Sequence, residues 1–210
     1  MRREVIYDEV FDAQEQFRLI LDSMSRPGKI NVLPDMDIEP PAGLNKGGAL
    51  IAFALLNTDV TFYAHGKNDE EITGYIALNT TAGPVSVHEA DFIFINGLHG
   101  AVVISEAKVG NLLYPEESAT FVIDVDAISH QPIDGALLLK LKGPGIKNEE
   151  RVYIKGIHAD LIEAVTELNT EFPLGIDMIL TDVQNNLLCI PRSNQFVVEH
   201  AGEHVKELTN

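Results

Sequence analysis

Asp177 and Arg192 are the two residues whose types and spacing come nearest to chemistry. Asp177 follows Phe172-Pro173-Leu174-Gly175-Ile176 at the start of an apolar run, and Arg192 closes Ile190-Pro191-Arg192 after a second one. A carboxylate at the start of a core strand needs hydrogen bonds or a cation, because desolvating it alone is costly. If residues 176–180 and 187–190 form a hairpin about Gln184-Asn185-Asn186, Asp177 and Arg192 reach the same open end. The pair then has two readings. It is a structural ion pair, or Arg192 forks an anionic oxygen that Asp177 orients.

The other motifs reach less far. Lys46-Gly47-Gly48 stands ahead of an apolar helix, where backbone N–H groups attract anions; its plainer reading is a loop-to-helix joint. Gly143-Pro144-Gly145 is followed by no helix and reads as a tight turn. His200 and His204, four apart, would share one helix face at metal-ligand spacing, against the plainer reading of a solvated polar tail. The remaining histidines (His65, His88, His99, His130 and His158) form no local cluster. The sequence holds no zinc signature, Walker A loop, nucleophile elbow or dinucleotide fingerprint.

The elements that must position these residues follow from periodicity. Asp12, with Glu15 three residues on, predicts a helix start, and Ala13, Phe17, Ile20, Leu21 and Met24 supply one apolar stripe. Arg26-Pro27-Gly28 stops it. A short strand is expected at 29–33, a proline-bearing loop at 34–43, and a buried helix at 49–57. Strands are predicted at 60–64, 91–95 and 119–125, with a helix from Asp69 to about Leu78 and some helical character between Leu98 and Val109. Pro115 falls in an acidic loop. Strands at 137–141 and 151–154 pair, a helix spans 160–168, and the stretch from Glu199 is expected to be frayed or helical. The pattern predicts an α/β chain with a mixed sheet covered by helices, in one domain over residues 1–210.

Composition narrows the function classes. Fifteen Lys and Arg against 32 Asp and Glu give a net charge of −17, which opposes nucleic acid and anionic membranes alike. The same field repels an anionic metabolite, so a phosphate or phosphonate site would have to be local. The longest apolar run, eight residues from Ala49 to Leu56, falls far short of the ~20 that cross a bilayer. Met1-Arg2-Arg3-Glu4 lacks an apolar leader, and Cys189 in Leu187-Leu188-Cys189-Ile190 reads as a buried strand residue. A cytoplasmic location is expected.

These motifs together resemble a known family. Asp12-Ala13-Gln14 through Phe17, Met24-Ser25 and Pro27-Gly28 are similar to the N-terminal signature of PhnH, a subunit family of the carbon–phosphorus lyase system. Phe172-Pro173-Leu174-Gly175-Ile176-Asp177, the apolar strand ending at Thr181, and Ile190-Pro191-Arg192 are similar to its C-terminal signature. Ala77-Leu78-Asn79-Thr80, Pro115-Glu116 and Gly143-Pro144-Gly145-Ile146 fall between them in the family's order, so the resemblance runs from about Phe11 to Glu199. It implies a fold like the large domain of pyridoxal-phosphate transferases, without that cofactor or any other. It also implies a homodimer that joins the G, I and J subunits in a core complex. With the G, I and L proteins, the family supports transfer of a phosphonate onto the ribose C1 of a nucleoside triphosphate, displacing the base and forming alpha-D-ribose 1-methylphosphonate 5-triphosphate. A radical iron–sulfur subunit later cleaves that product. No catalytic residue carries over; Asp177, Arg192 and Ser25 stand as candidates for ligand binding or for an interface. The competing reading is a free-standing phosphate- or phosphonate-binding enzyme on an α/β fold.

Overall fold

The structure, a computed structural model, describes residues 7–8 and 10–200. Helix α1 (Phe11–Ser25) leads to a two-residue strand β1 (Asn31–Val32), and an irregular stretch then reaches helix α2 (Lys46–Leu55). Strand β2 (Thr61–His65), helix α3 (Asp69–Thr80), β3 (Gly83–Pro84) and β4 (Phe92–Asn96) follow. A single turn of helix, α4 (Ala101–Ile104), precedes β5 (Thr120–Asp124). Three strands come next: β6 (Ala127–Ser129), β7 (Leu137–Lys142) and β8 (Glu150–Lys155). Helix α5 (Ala159–Leu168) is followed by β9 (Asp177–Thr181), β10 (Asn186–Ile190) and β11 (Gln195–His200).

Seven strands form the main sheet in the order β1-β10-β9-β5-β4-β2-β3. The run from β3 to β9 is parallel, while β10 and β1 are antiparallel additions, which makes the sheet mixed. Its strands are apolar on both faces because both faces are covered. Phe62, Phe94, Val122, Ile179 and Cys189 point to one side, where they pack with α1, α2 and α3. Ile93, Phe121, Ile123, Met178 and Leu188 point to the other, against α4, α5 and a second sheet. That second sheet, β11-β7-β8-β6, is antiparallel and contributes Leu139, Leu141, Val152 and Ile154 to the shared core.

The α/β class and mixed sheet expected from the pattern are present, and β9 and β10 form the predicted hairpin about Asn185, whose φ is +61°. Three local expectations change. First, helices alone do not cover the sheet: β7 and β8 pair as predicted but build a separate layer, with β6 and β11 unforeseen beside them. The stretch at Glu199 is therefore strand, because six residues of β11 pair with β7. Second, Asp12 lies inside the first turn of α1 rather than at its cap: Asp8, ahead of the helix, accepts the N–H groups of Val10 and Phe11 at 2.8 and 2.9 Å, and Asp12 accepts the Asp8 N–H at 2.8 Å. Third, α1 is rotated from its apolar stripe. It buries Gln16, Ile20 and Ser23 and leaves Phe17 and Leu21 exposed. The polar pair is tolerated because it is bonded: Gln16 Oε1 accepts from Tyr7 at 2.9 Å, and Ser23 Oγ accepts from Asn31 at 2.9 Å.

Candidate functional site

The hairpin brings Asp177 and Arg192 together at the N-terminal end of the parallel strands. Met178 pairs with Ile190, so Asp177 and the residues after Ile190 meet just beyond the last rung. The Arg192 N–H donates to Asp177 Oδ1 at 2.8 Å, Nε to the same oxygen at 3.3 Å, and Nη2 to Oδ2 at 2.5 Å. The remaining arm, Nη1, donates to the carbonyl of Pro115 at 2.8 Å. Both side chains are mostly buried. The fork is thus engaged by the chain's own carboxylate and carbonyl, and an incoming anion would have to compete with Asp177 for it.

Pro115 belongs to a short two-legged loop whose legs meet at the Val109–Ser118 bridge. Gly175 N–H braces the base by donating to Val109 O at 3.0 Å. At the tip, Asn111 and Tyr114 exchange backbone hydrogen bonds at 3.2 Å, and Asn111 Oδ1 accepts from the Leu113 and Tyr114 N–H groups at 2.9 Å. Gly110 is required here: its φ is +76°, and a Cβ would lie 2.7 Å from the Pro115 carbonyl oxygen.

Ser25 stands apart from this cluster. It is exposed at the end of α1, with its hydroxyl donating to Asp22 O at 3.0 Å. The Gly143-Pro144-Gly145 turn spans the ground between: Asn194 Nδ2 donates to Pro144 O at 3.1 Å, and Gly145, at φ +83°, passes too close to Ser25 O for any side chain. The two terminal signatures are therefore joined through a turn that meets the Ser25 backbone, not its side chain.

A second cluster lies at the opposite, C-terminal ends of the parallel strands. The chain runs from β2 outward to β3 and then returns to the inner side as β4, so the strand order reverses between β2 and β4. Crevices at such reversals are where open α/β sheets bind ligands. Here the crevice is lined by Gly43, Leu44, His65, Ile72 and Asp124, with a volume of about 10 Å³, room for one water. Asp124, the last residue of β5, is buried and accepts the Asn45 N–H at 2.7 Å through Oδ2. Its Oδ1 and the Oγ1 of buried Thr181 have no hydrogen-bond partner. Desolvation raises the Asp124 carboxyl to about 7, with the Asn45 hydrogen bond acting in the opposite sense. Such a group can hold and release a proton near neutrality.

Lys46-Gly47-Gly48 meets this cluster as the start of α2. Asn45 caps the helix, its Oδ1 accepting the Gly48 N–H at 2.6 Å and its Nδ2 donating to Thr181 O at 3.1 Å. Gly47 abuts Thr181 Oγ1, and a Cβ on Gly48 would lie 2.7 Å from Asp124 Oδ1. Lys46 turns away to Asp35 at 3.1 Å and Met36 O at 3.0 Å. The helix start is filled by the chain's own groups, so the motif is a loop-to-helix joint. Asp124 was missed although it carries the signal that singled out Asp177, an acid at the end of an apolar run, Phe121-Val122-Ile123-Asp124.

Cys189 is buried, as expected of its strand, and burial pushes its thiol up, away from reactivity. His204 lies outside the described residues, so the His200–His204 pair is not placed. Among the described residues no group of three or more His, Cys, Asp or Glu is placed to hold a metal ion.

Comparison with known proteins adds identity to this geometry. The family model described as "Bacterial phosphonate metabolism protein (PhnH)" matches residues 5–197. The "Alpha-D-ribose 1-methylphosphonate 5-triphosphate synthase subunit PhnH" of Rhizobium meliloti (strain 1021) is 32% identical over 193 residues, covering 90% of this chain and 92% of that protein. The "Putative C-P lyase subunit protein HtxG" of Stutzerimonas stutzeri is 25% identical over 190 residues, covering 90% of this chain and 87% of that protein.

Proposed function

The chain belongs to the PhnH family of bacterial phosphonate metabolism proteins, and from that premise we propose that it is the PhnH-type subunit of a carbon–phosphorus lyase system. It supports the formation of alpha-D-ribose 1-methylphosphonate 5-triphosphate from a nucleoside triphosphate and a phosphonate, as part of a multi-protein transferase. The observation that carries this reading is the 32% identity to a subunit of that synthase, sustained over nearly the whole of both proteins. We further take it to be one PhnH-like domain that forms a homodimer, assembles with the G, I and J subunits and works in the cytoplasm. The likeness to the large domain of pyridoxal-phosphate transferases belongs to the same proposal, supported by the parallel strands β2, β4, β5 and β9 with α2 and α3 on one face.

One observation favours a second reading. Asp124, a buried acid at the strand-order reversal, is where a free-standing α/β enzyme would keep a proton-handling group. Against it, the crevice admits little more than a water. Co-expression of tagged chain with the G, I and J subunits separates the two readings. The subunit reading predicts one assembly containing all four, identified by native mass. A chain that elutes alone while the other three assemble would overturn it.

A further inference from the structure

We propose that the 109–118 loop is a docking finger, which seats Leu112 and Leu113 in an apolar pocket with a basic rim on another protein subunit. The proposal deepens the subunit reading above and rests on it.

Exposure and rigidity coincide at this loop. Leu112 is 77% exposed, Leu113 83%, Tyr114 53%, and Phe172, on the turn braced to the loop's base, 67%. Large apolar side chains gathered at one protrusion mark an interaction site more often than scattered single ones do. A tip that merely connected α4 to β5 would carry polar residues and could be loose. This one is fastened at each level: by the Asn111 side chain at its turn, by the Val109–Ser118 bridge along its legs, and by Arg192 at Pro115. Ordering the loop before contact removes an entropic cost from association.

The rim sets the partner's chemistry. Glu116 and Glu117 follow the tip in the chain and Glu171 precedes Phe172, and all three are exposed. The two cations at the loop's base are engaged by carboxylates: Lys108 Nζ is on Asp91 at 2.5 Å and Arg192 is on Asp177. The finger is therefore apolar at its tip and negative around it, which fits an apolar pocket rimmed by Lys or Arg and opposes an anionic lipid surface. The Asp177–Arg192 pair becomes a positioning element of this interface: it fixes where the finger leaves the sheet.

The test compares wild type with the double substitution Leu112→Ser/Leu113→Ser, each co-expressed with the G, I and J subunits and titrated for assembly. Because the tip is exposed, the variant keeps the thermal unfolding midpoint of the wild type. Its affinity for the other subunits falls at least ~10-fold, the size of loss expected for a central apolar anchor. A second variant, Glu116→Lys/Glu117→Lys, weakens assembly in the same direction and reverses its salt dependence. Wild type assembling while the double-serine variant assembles equally well overturns the finger and leaves the subunit reading standing. Wild type failing to assemble overturns both. Loss of self-association with subunit binding intact would assign the finger to a second copy of the chain, and leucine-dependent binding to phosphatidylcholine vesicles would assign it to a membrane; either overturns the proposal.

Discussion

Two aspartates sit on neighbouring strands at opposite ends of the same sheet, and the chain treats them in opposite ways. Thr120 pairs with Asp177 and Asp124 pairs with Thr181, so along the strand direction the two residues lie one strand length apart, about 13 Å. Asp177 is surrounded by donors: the Arg192 backbone N–H and two guanidinium nitrogens. Asp124 has a single backbone donor and one oxygen left without a partner. The same residue type, ending or starting an apolar run, becomes a fixed ion pair where a guanidinium arrives and a proton holder where only a helix start does. With its donors, Asp177 anchors structure; Asp124, buried with one donor, has its carboxyl pushed up to about 7. The comparison also assigns tasks to the two ends. The Asp177 end ties down the exposed 109–118 loop through Arg192, and the Asp124 end closes the crevice where an enzyme of this architecture would hold its substrate.

The largest expected effect breaks the comparison at Asp124. An acid whose folded pKa is raised contributes stability fully below its ordinary value of 3.8 and loses that contribution as pH rises through about 7. Relative to Asp124→Asn, the wild type should therefore lose on the order of 4 kcal/mol between pH 4 and pH 8. Urea unfolding of both proteins across that range checks this, and parallel pH profiles would contradict it. Next comes Arg192→Ala, which strands a mostly buried carboxylate and the Pro115 carbonyl and should cost about 3 kcal/mol. In a double-mutant cycle with Asp177→Ala, a coupling near zero would show that the two side chains do not depend on each other.

Gly47→Ala sharpens the comparison from the helix side. Its new methyl group must displace Thr181, at a cost of roughly 2 kcal/mol that shrinks in a Thr181→Ala background. Ser25→Ala should be the mildest. Its exposed hydroxyl holds only a helix-end carbonyl, so the free energy of unfolding, measured in urea, should change by less than about 0.5 kcal/mol.

Much of this was legible in the residues and some was not, for identifiable reasons. The β9–β10 hairpin and the meeting of Asp177 with Arg192 follow from two apolar runs separated by Gln184-Asn185-Asn186, a local signal. Buried α2 and the β7–β8 pair were equally plain, because hydrophobicity alone marks them. The rotation of α1 was not: burying Gln16 and Ser23 depends on Tyr7 and Asn31, partners that spacing within a helix cannot reveal. Strand β11 escaped for a similar reason, since its Glu199 and His200 look like tail residues until six residues pair with β7. Asp124 carried a readable signal, but its environment comes from Asn45, 79 residues before it, and from Thr181, itself 136 residues from Asn45. The finger was visible only as an acidic loop around Pro115; that its leucines face outward is a property of the turn held by Asn111.

The central claim, that this chain acts as one subunit of a multi-protein transferase, is tested most directly by reconstitution. Release of adenine from ATP in the presence of methylphosphonate would be measured with the G, I and L proteins, with and without this chain. The account predicts base release that requires the chain and its partners together. Release by this chain alone, or undiminished release by the other subunits without it, would contradict the account.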